Sequence, residues 1–140
     1  MPIVISYHGT PESNVALHAA YNAAKTMETE LVVVLAAKTS EDDSRTLDTA
    51  QDTLWDLLKT MSVAYKVIRA KANVEIADSV LEVAREEDAS LIFIGLAGRQ
   101  GIKGQMVGVN AQKILLESIC PVVTVTQHSS YIEGMDISQE

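Results

Sequence analysis

The stretch Ser90-Leu91-Ile92-Phe93-Ile94-Gly95-Leu96-Ala97-Gly98 decides the fold. Leu91 to Ile94 is an apolar run with no polar residue alternating through it, the pattern of a strand covered on both faces. It runs into a glycine-rich segment that reaches Gly108. Asn110 to Ser118 then reads as a helix with Ala111, Ile114 and Leu115 inward. Pro121-Val122-Val123-Thr124-Val125-Thr126 follows as a second strand, its proline at the first position, where a missing N–H is tolerated. A strand, a loop, a helix and a strand in so short a span form a unit of parallel sheet.

The same alternation runs back to the first residues. Ile3 to Tyr7 reads as a buried strand. Thr10-Pro11-Glu12 opens a helix, with Thr as N-cap, Pro at the first helical position and an acid in the first turn; Glu12 and Ser13 are both able to share the capping. Val15, Leu17, Ala19, Ala20, Ala23, Ala24 and Met27 give that helix an alanine-rich face suited to close packing. Leu31 to Ala37 is a second strand covered on both faces. Ser40-Glu41-Asp42-Asp43 opens a second helix with negative charge at its dipole's positive end. Leu47, Leu54, Leu58 and Met61 follow at helical spacing, with Trp55 and Leu57 beside them. Ala64 to Ala70, with Lys66 and Arg69 interleaved, reads as a strand nearer an edge. Ile76, Ala77, Val80, Leu81 and Ala84 mark a third helix that ends among Arg85 to Asp88.

The resulting order, β-α-β-α-β-α-β-α-β, predicts an α/β fold: an open five-stranded parallel sheet with helices on both faces and right-handed crossovers. In such sheets ligands bind beyond the carboxyl ends of the strands, where the strand order reverses. Residues 1–127 read as one domain and residues 128–140 as a polar tail.

Composition excludes several classes. A chain of 140 residues fits one domain with a core of its own. Aromatic residues are only 4%, so the core is built from Val, Ile, Leu, Ala and Met. The net charge of −8 argues against nucleic-acid binding and against a polybasic membrane-surface protein. No apolar run approaches the roughly 18–20 residues of a membrane span. The opening residues lack the pattern of a signal peptide. A single cysteine, Cys120, has no internal disulfide partner and reads as a small packed residue; a reducing cytoplasm is the expected location.

Five of the seven glycines fall between Gly95 and Gly108. Glycines allow backbone N–H groups close to an anion, and the helix start that follows adds unpaired donors and partial positive charge. Arg99 and Lys103 bring two cations, and residues 95–110 contain no acid. Two readings stand: a phosphate cradle, or a surface loop whose glycines only make turns. The spacing matches neither the Walker pattern nor the dinucleotide fingerprint, since no Gly-Lys-Ser/Thr closes it and the first turn is His8-Gly9-Thr10.

These residues resemble the universal stress protein family. Its nucleotide-binding members carry a Gly, two residues, a Gly, nine residues and a Gly followed by Ser or Thr; Gly95, Gly98 and Gly108 stand at those separations. Leu91 to Gly95, Ala111 to Leu115, Cys120 to Val125 and the opening Ile3 to Thr10 are similar to the family's fourth strand, last helix, last strand and start. The resemblance covers residues 2 to about 127. It implies the adenine nucleotide α-hydrolase-like fold with strand order 3-2-1-4-5. It also implies binding of ATP or AMP, no general reaction, and a homodimer formed through the last strand, Val122 to Thr126. The site it implies comprises His8, Gly9, Thr10, Ala36, Ile94, Gly95, Gly98, Arg99, Lys103, Gly108, Val109 and Asn110.

Two positions depart from the family pattern. Val109 stands where nucleotide-binding relatives have Ser or Thr, whose hydroxyl helps hold the phosphates. His8 stands where the family has an Asp that contacts the nucleoside side or a metal. His8 is either a ligand contact or a strand-end residue bonded to backbone, and Ala36 either lines an adenine pocket or packs in the sheet. No metal site or catalytic triad is legible, with His18 and His128 far apart. The alternatives are therefore a nucleotide-binding stress-response module, a protein-interaction module of the same fold that needs no nucleotide, and, weakest, a slow ATP hydrolase lacking an identifiable base. The protein partners are not legible.

Overall fold

A computed structural model describes residues 1–37, 44–97 and 108–129. The proposed second helix start at Ser40–Asp43, the loop residues Gly98, Arg99 and Lys103, and the tail beyond residue 129 lie outside the described residues. Nine elements follow the order read from the sequence: β1 (Ile3–Tyr7), α1 (Pro11–Thr26), β2 (Leu31–Leu35), α2 (Ser44–Leu58), β3 (Tyr65–Arg69), α3 (Ile76–Glu86), β4 (Leu91–Leu96), α4 (Val109–Glu117) and β5 (Val122–Thr126). All four strand pairings are parallel, and the sheet order is β3-β2-β1-β4-β5.

The residues explain the layers. Along β1, Ile3, Ile5 and Tyr7 face one side, where they pack with α1 and with Leu54 and Leu58 of α2. Val4 faces the other, packing with Val32, Val34 and Ile92 against Ala77, Val80 and Ala84 of α3 and Ile114 of α4. The central strands β1 and β2 are buried along their whole length. Each fully buried Val, Leu or Ile contributes about 1.5–3 kcal/mol. The edge strand β3 carries the exposed Tyr65 and polar neighbours, as its interleaved Lys66 and Arg69 predict. Thr10 caps α1 in a reciprocal pair with Ser13, and Pro11 is its first residue.

Two side chains lie differently from the sequence reading. Leu115 is 43% exposed rather than inward. Within α4 only Ile114 is fully buried, and Leu115 lies about 100° further round the helix, off the narrow stripe that meets α3 and the sheet. Met27 is the C-cap of α1, so it leaves the packed face and is exposed.

Tyr7 carries a pH signature of this core. Its ring is fully buried, its hydroxyl donates to Asn14 Oδ1, and burial pushes its pKa from 10.0 up to about 12. A phenol that ionises later in the folded state contributes stability that is intact below pH 10 and lost as pH rises toward 12. Denaturation midpoints are expected to fall across that window. The fall should be smaller in Tyr7→Phe, which has nothing to ionise there; an equal fall in both would contradict this.

Candidate functional site

The sheet opens where its order reverses. The β1–β2, β2–β3 and β4–β5 registers run out to Tyr7↔Leu35, Leu35↔Arg69 and Leu96↔Thr126. The β1–β4 register, however, stops at Ile5↔Phe93. Beyond it the two halves of the sheet part. Ser6 and His8 stand on one lip and Ile94 and Gly95 on the other. Together with Glu12, Ile76 and the first turn of α4 from Gly108 to Ala111, with Ile114 beneath, they enclose a cleft of about 190 Å³ bounded by the described residues.

Gly95 makes this opening fit α1. A Cβ on Gly95 would stand 2.5 Å from the Glu12 carbonyl oxygen and 2.9 Å from the Ser13 nitrogen, both backbone atoms. The first turn of α1 therefore rests directly on the backbone of β4. Gly9 has a different reason: its φ is +77°, and a Cβ there would stand 2.9 Å from the Ala50 Cβ. The turn is drawn tight by the His8 N–H, which donates to Ser13 Oγ at 3.3 Å.

His8 is held at both ring nitrogens. Nδ1 lies 3.1 Å from the Ala36 carbonyl oxygen, and Nε2 lies 3.0 Å from Ser6 Oγ. A carbonyl only accepts, so Nδ1 carries the hydrogen; in the neutral ring Nε2 then accepts from the Ser6 hydroxyl. Both readings of His8 meet here, because it is bonded to backbone and it also lines the cleft. Ala36 is buried, donates its N–H to the Tyr7 carbonyl and accepts from His8. His8, Ile94, Gly95, Gly108, Val109 and Asn110 line the cleft, whereas Gly9, Thr10 and Ala36 are not among its lining residues.

The first turn of α4 supplies the cleft's donors. Gly108 is its N-cap and has no side chain to bond the leading N–H groups. Val109 is 80% exposed and offers only methyl groups. Asn110 turns its Oδ1 to the Ala77 N–H at 3.0 Å. It thereby caps α3, whose own N-cap, Glu75, makes no side-chain capping hydrogen bond. Lys113 adds to this α3–α4 seam, 2.7 Å from Asp78 and 3.7 Å from Glu75; its hydrogen bond to Asp78 raises its pKa. Asn110→Ala is expected to lower stability by about 1 kcal/mol, the usual cost of a lost cap. Urea denaturation checks this; an unchanged midpoint would deny Asn110 the capping role.

Sequence reasoning missed Ser6, Ile76, Ala111 and Ile114 as cleft residues, and treated Glu12 only as a first-turn acid. Ser6 carried a usable signal, since residues two apart on a strand share a face with His8. Among the described residues no cluster of three or more His, Cys, Asp or Glu is placed to hold a metal ion, and no helix is long and apolar enough to cross a membrane.

The profile of the universal stress protein family matches residues 1–126. The chain belongs to this family. The universal stress protein YxiE of Bacillus subtilis (strain 168) is 41% identical over 54 residues, a match spanning 39% of this chain and 36% of YxiE. A universal stress protein from Archaeoglobus fulgidus, solved in complex with dAMP, is 22% identical with a TM-score of 0.69, covering 89% of this chain and 97% of that one. Another universal stress protein, solved in complex with cAMP, is 20% identical with a TM-score of 0.61, covering 91% of this chain and 97% of that one. At these identities the two structures show a shared fold, the adenine nucleotide α-hydrolase-like sheet with order 3-2-1-4-5. In this universal stress protein the cleft occupies the reversal point of that sheet.

Proposed function

We propose that this universal stress protein binds an adenine nucleotide, AMP or ATP, in the β1–β4 cleft as a stress-response module rather than as an enzyme. The observation that carries the reading is the parting of β1 from β4 over the side-chain-free N-cap of α4. Such a helix start offers N–H donors and partial positive charge to a phosphate. The relatives solved with dAMP and cAMP support adenine as the base. Arg99, Lys103 and the glycines between Gly95 and Gly108 are the sequence's candidates for the rest of the phosphate seat. Mass spectrometry of the purified, denatured protein is expected to release an adenine nucleotide. Gly108→Asp, which sets a carboxylate at the seat, should release none; equal yields from both proteins would count against the site.

A second reading keeps the fold and dispenses with nucleotide. Val109 provides no hydroxyl, and α4 and the turn after it expose Leu115, Leu116 and Ile119, with Leu116 at 84%. A homodimer through β5 belongs to the same reading, since among the described residues this outer strand has no strand on its far edge. Sedimentation at micromolar concentration is expected to give a dimer, and a monomer would remove that part of the proposal.

A further inference from the structure

We infer that residues 130–140 return along the outer edge of β5 and dock there as an added strand, beside the apolar flank of α4. The described chain already begins that reversal. The Ile92 N–H donates to the Pro121 carbonyl, and Ile92 is in register with Val122. In a parallel ladder this turns the backbone groups of the odd-numbered β5 residues toward β4. Those of Val122, Thr124 and Thr126 therefore point outward, and among the described residues no strand pairs with this edge. At the end of β5 the chain turns toward it. The Ser129 N–H donates to the Thr126 carbonyl at 3.0 Å, and the Thr126 N–H donates to Ser129 Oγ at 3.1 Å. Both bonds use outward groups of Thr126, so Ser129 stands beside the outer edge with the chain reversed.

The two faces of that edge suit the tail. Val122 packs on the side of Ile92 and Ile114, whereas Val123 and Val125 pack with Phe93 on the α1 side. Side chains alternate along a strand, so the exposed Thr124 shares the Val122 face. Continuing the Thr126–Ser129 pair sets Thr124 opposite Tyr131, Val123 opposite Ile132 and Val122 opposite Glu133. Asn110 and Lys113 turn one flank of α4 to α3. Leu115 lies about 200° round from Lys113, on the flank away from α3, and is exposed, as is Ile119 past the helix end. Tyr131 then covers Thr124 and meets that flank, while Ile132 extends the α1-side core beside Val123. Residues 130–140 contain no proline and no lysine, the residues that commonly blunt an edge. Extended, they reach up to about 36 Å, about twice the length of β5. The tether favours the chain's own tail over a second copy at low protein concentration. A homodimer through β5 forms only by displacing the tail of each copy.

The inference is independent of the nucleotide reading and is tested on the full chain without nucleotide. Amide hydrogen exchange is followed residue by residue by mass spectrometry, in protein diluted below micromolar so that a second copy does not occupy β5. In the docked strand the Tyr131 and Glu133 N–H groups face Thr124 and Val122. They are expected to exchange about tenfold or more slowly than in the isolated tail peptide. Ile132 and Gly134 face outward and should exchange at the peptide rate. Peptide-like rates at all four would overturn the inference. Protection at Ile132 and Gly134 alone would overturn it too, because it shifts the pairing by one residue and takes Tyr131 off the α4 face. A doubly substituted chain, Val123→Cys with Ile132→Cys, tells the chain's own tail from that of a second copy. These opposed residues form a non-hydrogen-bonded pair with Cα atoms about 4.5 Å apart, close enough for a disulfide. On oxidation the 123–132 disulfide is expected within one chain, and the same disulfide between two chains would overturn the inference.

Discussion

Gly95→Ala is expected to destabilise the protein by about 3 kcal/mol, the upper part of the range for an overpacked interior. The added Cβ meets the Glu12 carbonyl carbon at 2.6 Å and its oxygen at 2.5 Å. Those atoms are backbone, so no side-chain rotation relieves the clash; the first turn of α1 has to move. That turn is tied down by the Thr10–Ser13 cap and by the His8 N–H on Ser13 Oγ, so the strain reaches the lip of the cleft. Gly108→Ala is the contrast. Nothing lies within 4 Å of its added Cβ, and its cost should stay under about 1 kcal/mol, from a poorer N-cap. Urea denaturation of the two variants separates the cases, and equal midpoints would show that the Gly95 contact is not a constraint.

Val109→Ser is expected to strengthen AMP binding by about tenfold to a hundredfold, the worth of one hydrogen bond to a charged group at about 1.5–3 kcal/mol. Val109 lines the cleft, lies at the first position of α4 and is already exposed, so the change removes no packing. The hydroxyl would join the N–H donors of the same turn. Calorimetric titration of both proteins with AMP checks the prediction. An unchanged affinity would place the phosphate away from this turn.

The fold was legible because the apolar runs at Ile3–Tyr7, Leu31–Leu35 and Leu91–Ile94 carry no alternation, and buried parallel strands need none. Their order and the caps at Thr10 and Pro11 followed from local chemistry. The cleft was legible only in part. His8, Ile94, Gly95, Gly108, Val109 and Asn110 could be named from the sequence, but their roles depend on contacts between segments far apart in the chain. Gly95 lines the cleft, but its second constraint, the close rest of α1 on its backbone, shows only in the structure. Asn110 could be named for the site, but its second role as the cap of α3 shows only when its Oδ1 is found on Ala77, 33 residues away. Leu115 shows the limit of periodicity, since it was placed inward by apolarity while the buried stripe of α4 is narrow.

The proposed binding of an adenine nucleotide in the β1–β4 cleft has a direct test. Calorimetric titration of nucleotide-free protein with AMP and with ATP tests it most directly. Saturable heat with micromolar affinity for at least one of them, and a matching rise in melting temperature, is the predicted result. No heat and no thermal shift with either nucleotide at millimolar concentration would contradict it.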